Sequence, residues 1–100
     1  MNRSERRMGL EAVELVMAIE EDFGVTLPDR ECQSMRTVGD LAALVVRHLP
    51  KTAAGQNAAE QVAVSERVLE RVRQIISQEF RLPMERVQPH SRLIQDLGID

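Results

Sequence analysis

The stretch of residues 9–23 combines apolar and acidic positions with the period of an α-helix. At about 100° per residue, one broad side collects the apolar residues, which are Val13, Val16, Met17, Ile19 and Phe23. The opposite side collects the acids, which are Glu11, Glu14, Glu21 and Asp22, with Ala18 among them. Glu20 departs from the pattern because it projects from the apolar side near the helix end. The pattern predicts a helix with one buried stripe, whose acidic face is either ordinary solvated surface or a docking surface.

The next two amphipathic segments each predict a further major helix. The first follows the capping-box pattern of Thr37 and Asp40 and ends before Pro50. Its apolar positions are Val38, Leu41, Leu44, Val45 and Leu49. The second segment ends before Pro83, and its apolar positions are Val68, Val72, Ile75, Ile76 and Phe80. We expect Gly24 to end the opening helix, and residues 28–34 to form one or two helical turns.

The segments between these helices set the predicted organisation of the chain. Residues 1–8 are interpreted as a flexible arm, and residues 51–64, small and polar, as a linker. Asn57 and Ser65 are alternative starting points for the last major helix. Residues 81–100 are interpreted as a long loop fixed to the core by scattered apolar side chains, with one turn of helix expected near Leu93. Loops of this length are usually functional.

Composition limits the classes of function that need to be considered. The chain has 100 residues, 43% of them hydrophobic, with Phe23 and Phe80 as its two aromatic residues, so an aliphatic core is expected. A net charge of −3 and the lack of stacking aromatics argue against a nucleic-acid partner. One cysteine, Cys32, and the well-separated His48 and His90 provide no spacing for a metal site. We read Cys32 as an unreactive thiol and His48 as a surface residue.

No signal peptide or membrane-spanning run is recognised, and we therefore expect a cytoplasmic protein with no membrane partner. The sequence also lacks paired carboxylates, a Ser/His/Asp set and a phosphate-binding glycine loop. An enzyme is therefore not expected.

Both halves of the chain resemble one known family, but in the reverse order. Residues 9–50, with the run Val-Glu-Leu-Val-Met-Ala at residues 13–18, resemble the C-terminal half of an acyl carrier protein. Residues 65–100, with the closing Asp-Leu-Gly-Ile-Asp at residues 96–100, resemble the N-terminal half of the same family. The resemblance implies an all-α fold, an antiparallel acyl-carrier-like bundle of three major helices and one short helix, circularly permuted. Residues 9–50 and 65–100 would together form one domain.

Three arrangements are compatible with this order. A single chain can close the permuted bundle, with residues 51–64 joining the old termini. Two chains can exchange halves to give a domain-swapped dimer. Alternatively, the sequence spans the second half of one carrier and the first half of the next in a tandem array.

The resemblance also identifies a missing residue. In the family, Asp-Leu-Gly-x-Asp is followed by Ser-Leu, and that serine carries 4′-phosphopantetheine. Here Gly9 stands at the serine position, flanked by Leu10 and by Asp100 from the other end of the chain. Glycine has no oxygen to modify, so no covalent cofactor is expected, unless the family function is retained at another serine. Among the serines of the chain, Ser4 lies nearest in sequence to position 9, but it lacks the residues that flank the attachment serine in the family.

The acids of the opening helix match positions that in the family face basic patches of synthases and transferases. These positions are Glu11, Glu14, Glu20, Glu21 and Asp22. The favoured interpretation is an acyl-carrier-like domain of fatty acid or polyketide biosynthesis that docks acyl-transfer enzymes, synthases or a phosphopantetheinyl transferase but is not itself modified. The alternatives are a genuine carrier in a truncated, rearranged or tandem-derived chain, and an unmodified regulatory or scaffolding module.

The aliphatic interior has two interpretations as well. Ordinary core packing explains it, and so does an acyl-chain pocket. The residues concerned are Leu15, Ile19, Leu41, Val45, Val72, Ile76 and Leu93.

Overall fold

The computed structural model describes residues 9–100, and these residues are mostly helical, with no strand among them. The helices are α1 (Leu10–Phe23), α2 (Asp29–Cys32), α3 (Val38–His48), α4 (Lys51–Ala54) and α5 (Ala58–Phe80), followed by a 3₁₀ turn at Met84–Arg86. The predicted all-α class is confirmed. The predicted arm, residues 1–8, lies outside the described residues.

Helix α1 has the predicted limits. Gly24 ends it in the left-handed conformation, with φ 66°, and its N–H donates to the Glu20 carbonyl. One detail of the predicted apolar side is wrong, because the Met17 side chain is 57% exposed. Met17 lies at the edge of the apolar arc, where the neighbouring elements do not reach it. The buried stripe consists of Leu15, Val16 and Ile19, so it includes Leu15, which the predicted apolar side left out.

The predicted capping box at the start of α3 is confirmed. The Thr37 hydroxyl accepts the Asp40 N–H at 3.0 Å, and Asp40 Oδ2 accepts the Thr37 N–H at 3.1 Å. The N–H groups of Val38 and Gly39 donate to the carbonyls of Ser91 and Pro89, at 3.0 and 2.8 Å. The long C-terminal loop therefore satisfies free donors at the start of this helix.

Residues 51–64, interpreted from the sequence as a linker, are largely helical. Four of these residues form α4, and α5 begins at Ala58, where the Asn57 side chain accepts the Glu60 N–H at 2.9 Å. Of the two starting points that the sequence offers, Asn57 is the one used, and Ser65 lies inside the helix. The small residues of this stretch are compatible with helix, so composition alone was a poor guide to its structure.

The core is aliphatic, as expected, and lies where α5 packs against α1 and α3. Its fully buried side chains include Leu15, Ile19, Leu41, Val72 and Ile76. His48 departs from its interpretation as a surface residue, since it is half-buried and its Nε2 lies 2.7 Å from Glu31 Oε1. This contact joins α2 to the end of α3, and the hydrogen bond from His48 holds the pKa of Glu31 below its usual value.

Residues 81–100 are fixed to the bundle by polar contacts as well as by apolar anchors. Arg73 of α5 donates to the carbonyls of Val87 and Met84, at 2.5 and 3.1 Å. The buried Ser91 hydroxyl donates to the Arg86 carbonyl at 2.7 Å and accepts the Gln88 N–H at 2.9 Å. A single antiparallel bridge joins Thr37 and Arg92. These contacts carry the end of the loop toward the start of α1.

Candidate functional site

Gly9 and Asp100, which are 91 positions apart in sequence, meet at the start of α1. A Cβ built on Gly9 would overlap the Asp100 carbonyl oxygen and lie 2.5 Å from the Asp100 carbonyl carbon. The Asp100 N–H also reaches Glu11 Oε1, at 3.4 Å. We call this contact between Gly9 and Asp100 the junction.

The hydrogen bonds at the junction define what Asp100 does there. In an α-helix each N–H donates to the carbonyl four residues earlier, and the Val13 N–H donates in this way to Gly9, at 3.1 Å. The regular partner of Ala12 would be the carbonyl of residue 8. The Ala12 N–H donates to the Asp100 carbonyl, at 3.2 Å. Asp100 therefore accepts a hydrogen bond from a main-chain donor in the first turn of α1.

A cavity of about 270 Å³ opens beside the junction. Its lining is Gly9, Ala12, Cys32, Gln33, Met35, Arg36, Leu93, Ile94, Gln95, Ile99 and Asp100. The interior residues considered for an acyl-chain pocket are elsewhere, apart from Leu93, and are buried at 0–5% exposure in the core. Core packing therefore accounts for those other residues.

Cys32 lines this cavity but is not a reactive group. Its side chain is buried, and its thiol lies 3.9 Å from the Leu27 carbonyl oxygen as a weak donor. Burial raises the pKa of Cys32 to about 11, so the thiolate is scarce at neutral pH. Within residues 9–100, no group of three or more His, Cys, Asp or Glu side chains is placed to hold a metal ion.

Two of the five acids singled out for docking are engaged within the molecule. Glu20 is half-buried, and its Oε2 accepts the Leu27 N–H at 2.7 Å, closing the turn after α1. Asp22 makes a bidentate contact with Arg71 of α5, at 2.6 and 3.0 Å. The hydrogen bond from Arg71 keeps the pKa of Asp22 below its usual value.

The other three acids, Glu11, Glu14 and Glu21, are exposed on α1. Leu10 and Met17 lie on the same helix, with 71% and 57% of their surface exposed. Residues 10, 14, 17 and 21 follow the spacing of one helix face. We call the exposed surface formed by Leu10, Glu11, Glu14, Met17 and Glu21 the α1 face, and it presents three carboxylates together with two apolar side chains.

The described serines do not supply a hydroxyl at the start of α1. Ser65 and Ser77 lie within α5, and Ser34 follows α2. The buried Ser91 is bonded within the C-terminal loop. Ser4 lies outside the described residues.

Sequence reasoning missed three features of this region. Arg71 and Arg73 were not singled out, although they fix Asp22 and the C-terminal loop. The cavity was not predicted either. Each depends on contacts between residues far apart in the chain, which a periodic pattern does not reveal.

Comparison with known proteins bears on α1 to α3. Residues 10–45 match the family model described as Phosphopantetheine attachment site. The match begins at the residue after Gly9 and supports the resemblance to acyl carrier proteins over this segment. Residues 46–100 lie outside it, so the interpretation of residues 65–100 as the family's N-terminal half stays a prediction.

Individual relatives match the chain over short segments. The chain is 53% identical over 32 residues to an acyl carrier protein of Thermosynechococcus vestitus, a match covering 32% of this chain and 40% of that protein. It is 38% identical over 42 residues to an acyl carrier protein of Clostridium perfringens strain SM101, covering 42% of this chain and 55% of that protein. The matched segments thus span about half the length of these relatives or less. No solved structure matches the chain.

Proposed function

We propose that this chain is an acyl-carrier-like domain with its halves in circularly permuted order. In this proposal it docks enzymes of fatty acid or polyketide biosynthesis through the α1 face and is not phosphopantetheinylated. The observation that carries the proposal is the hydrogen bond from the Ala12 N–H to the Asp100 carbonyl. A family sequence would place an aspartate directly before position 9, and Asp100 supplies that residue's contact from the other end of the chain.

The permuted organisation accounts for the placement of the two halves. Residues 9–50 and 65–100 contribute to one core, and residues 51–64 join them through α4 and the first turns of α5. Two chains that exchanged halves would make the same contacts. We propose the monomer, so light scattering should give a mass near 11.3 kDa. A mass of twice that value would indicate exchange.

The residue at position 9 and its surroundings do not fit a covalently attached 4′-phosphopantetheine. The arm requires a side-chain hydroxyl, and Gly9 has none. The Asp100 main chain also occupies the space that a side chain at this position would need. The proposed role is therefore binding, without catalysis and without a resident cofactor.

The α1 face is suited to a basic partner surface. Glu11, Glu14 and Glu21 are exposed, whereas Glu20 and Asp22 are engaged in structural contacts. We therefore narrow the docking set to the first three, with Leu10 and Met17 supplying apolar contact. The proposed partners are acyl-transfer enzymes, synthases or a phosphopantetheinyl transferase in the cytoplasm. Within residues 9–100, no helix has both the length and the apolar character needed to cross a bilayer.

Charge reversal on the α1 face tests this docking. The double variant Glu14→Lys, Glu21→Lys should reduce the association rate with an acyl carrier synthase or transferase by about tenfold or more at low salt, because electrostatic attraction acts mainly on encounter. The effect should shrink as salt is raised. Surface plasmon resonance at two salt concentrations measures both.

The matched control reverses two exposed acids of α5, Glu66→Lys and Glu79→Lys, giving the same change in net charge. This control should bind as the unmodified chain does. If both double variants lose the same fraction of the association rate, net charge alone explains the effect, and docking through the α1 face is contradicted. An unchanged association rate of the α1 variant at low salt would contradict it as well.

A further inference from the structure

Position 9 carries glycine in a conformation that does not itself require glycine. Its φ of −75° and ψ of −180° are extended values that any residue adopts. Serine would also be a good N-cap residue at the start of α1. Any obstacle to a side chain at position 9 therefore comes from what lies around the Cα, where the Asp100 main chain makes the nearest approach.

The approach of Asp100 is closer than a side chain permits. The two atoms nearest to a Cβ at position 9 are main-chain atoms of Asp100, its carbonyl oxygen and its carbonyl carbon. Main-chain atoms do not rotate away as the end of a long side chain does, and the Asp100 carbonyl is held by the Ala12 N–H. The preceding residue, Ile99, is 1% exposed, and its N–H donates to the Leu93 carbonyl at 2.8 Å. Asp100 is therefore anchored from both sides.

We propose that the docked Asp100 main chain closes position 9 to every side chain. Even a serine or cysteine introduced at this position would be excluded from its normal place while Asp100 stays docked. Asp100 would have to leave the start of α1 before position 9 could carry a modifiable group. Because Ile99 and Asp100 also line the cavity, their release would widen the cavity's mouth.

The inference rests on the proposed function only where it identifies position 9 with the attachment serine. The closure itself is a contact between two residues, which can be tested without any partner enzyme. If the charge-reversal experiment contradicts docking through the α1 face, the proposed contact between Gly9 and Asp100 is unaffected. If the closure is overturned, the proposed docking through the α1 face is unaffected. The two failures are thus distinguishable.

A thermal double-mutant cycle measures the closure. Gly9→Ala adds only the Cβ, and in the full chain it should lower Tm by about 5–15 °C, as overpacking against main-chain atoms does in a small domain. When Asp100 is deleted, the same substitution should lower Tm by no more than about a third of that shift, which is the ordinary cost of alanine at an N-cap. Equal shifts in the two backgrounds, or no shift in the full chain, would overturn the proposal.

Gly39→Ala serves as the matched glycine control. A Cβ at Gly39 would lie 3.1 Å from the Pro89 carbonyl oxygen, so the loss should be much smaller than at Gly9. If the deletion variant fails to fold, amide hydrogen exchange of Ala12 decides between the outcomes. Gly9→Ala should accelerate this exchange by expelling Asp100, whereas unchanged protection would overturn the closure.

A thiol at position 9 gives a second readout. Because a Cβ at position 9 should expel Asp100, Gly9→Cys should react with a maleimide at nearly the same rate in the full chain as after deletion of Asp100. The unmodified chain gives the background from Cys32, which is buried and has a pKa of about 11. A reaction at least about tenfold slower in the full chain would show that Asp100 stays docked over the added side chain, and it would overturn the closure.

Discussion

Arg81 is the described non-glycine residue with a positive φ, 56°, and it ends α5. The left-handed conformation costs an ordinary L-residue about 1 kcal/mol or more, whereas glycine adopts it freely. Arg81→Gly should therefore raise the free energy of unfolding by about 1 kcal/mol, an increase of about 4–8 °C in Tm. Differential scanning calorimetry measures the shift.

Glu79→Gly is the control for Arg81→Gly, because position 79 is helical and exposed in the last turn of the same helix. Glycine there should lower stability by up to about 1 kcal/mol. The account of the α5 end is wrong if both substitutions change Tm in the same direction. At the scale of single residues, the sequence correctly predicted that Gly24 ends α1 and that Thr37 caps the start of α3. It did not predict the engagement of Glu20, whose partner Leu27 is defined by the turn after α1.

At the scale of elements, the start of α5 shows that the sequence pattern can identify candidate capping residues but does not choose between them. The sequence offered Asn57 and Ser65, and the structure uses Asn57. Asn57→Ala should lower the free energy of unfolding by about 1 kcal/mol through loss of the cap. Ser65→Ala, inside the helix, should be neutral or slightly stabilising. Urea denaturation of both variants checks this, and the reverse order of effects would move the start of α5 to Ser65.

The three long helices followed from apolar periodicity because their packing surfaces are local in sequence. The course of residues 81–100 did not, since it depends on Arg73, on the exposed start of α3 and on the Ser91 hydroxyl. For the candidate site, the sequence predicted that positions 9 and 100 belong together only through the family resemblance. The cavity and the division of the acids into engaged and exposed sets required the fold.

At the scale of the whole molecule, several carboxylates have their pKa lowered by partners in the folded state. Hydrogen bonds from Arg71 act on Asp22, from His48 on Glu31, from the Arg36 main chain on Asp40, and from Arg92 on Asp96. Unfolded carboxylates bind protons at higher pH than these folded ones, so their contribution is complete at neutral pH and is lost as pH falls. We expect Tm to begin falling below about pH 4.5.

A Tm titration from pH 7 to pH 3 measures this dependence. Asp22→Asn removes one such group and should make the acid-side fall shallower, whereas Glu21→Gln, at an exposed neighbour, should leave its slope nearly unchanged. A Tm that rises on acidification would show that repulsion among the acids of α1 outweighs these contacts.

The central claim is that the chain keeps the docking surface of a carrier but not its attachment site. Intact-mass spectrometry after incubation with coenzyme A and a broad-specificity phosphopantetheinyl transferase tests it most directly, with an authentic acyl carrier protein in the same tube as the positive control. The account predicts that the control gains one phosphopantetheine arm and that this chain keeps its mass. A gain of one arm by this chain, at Ser4 or at any other residue, would contradict the account.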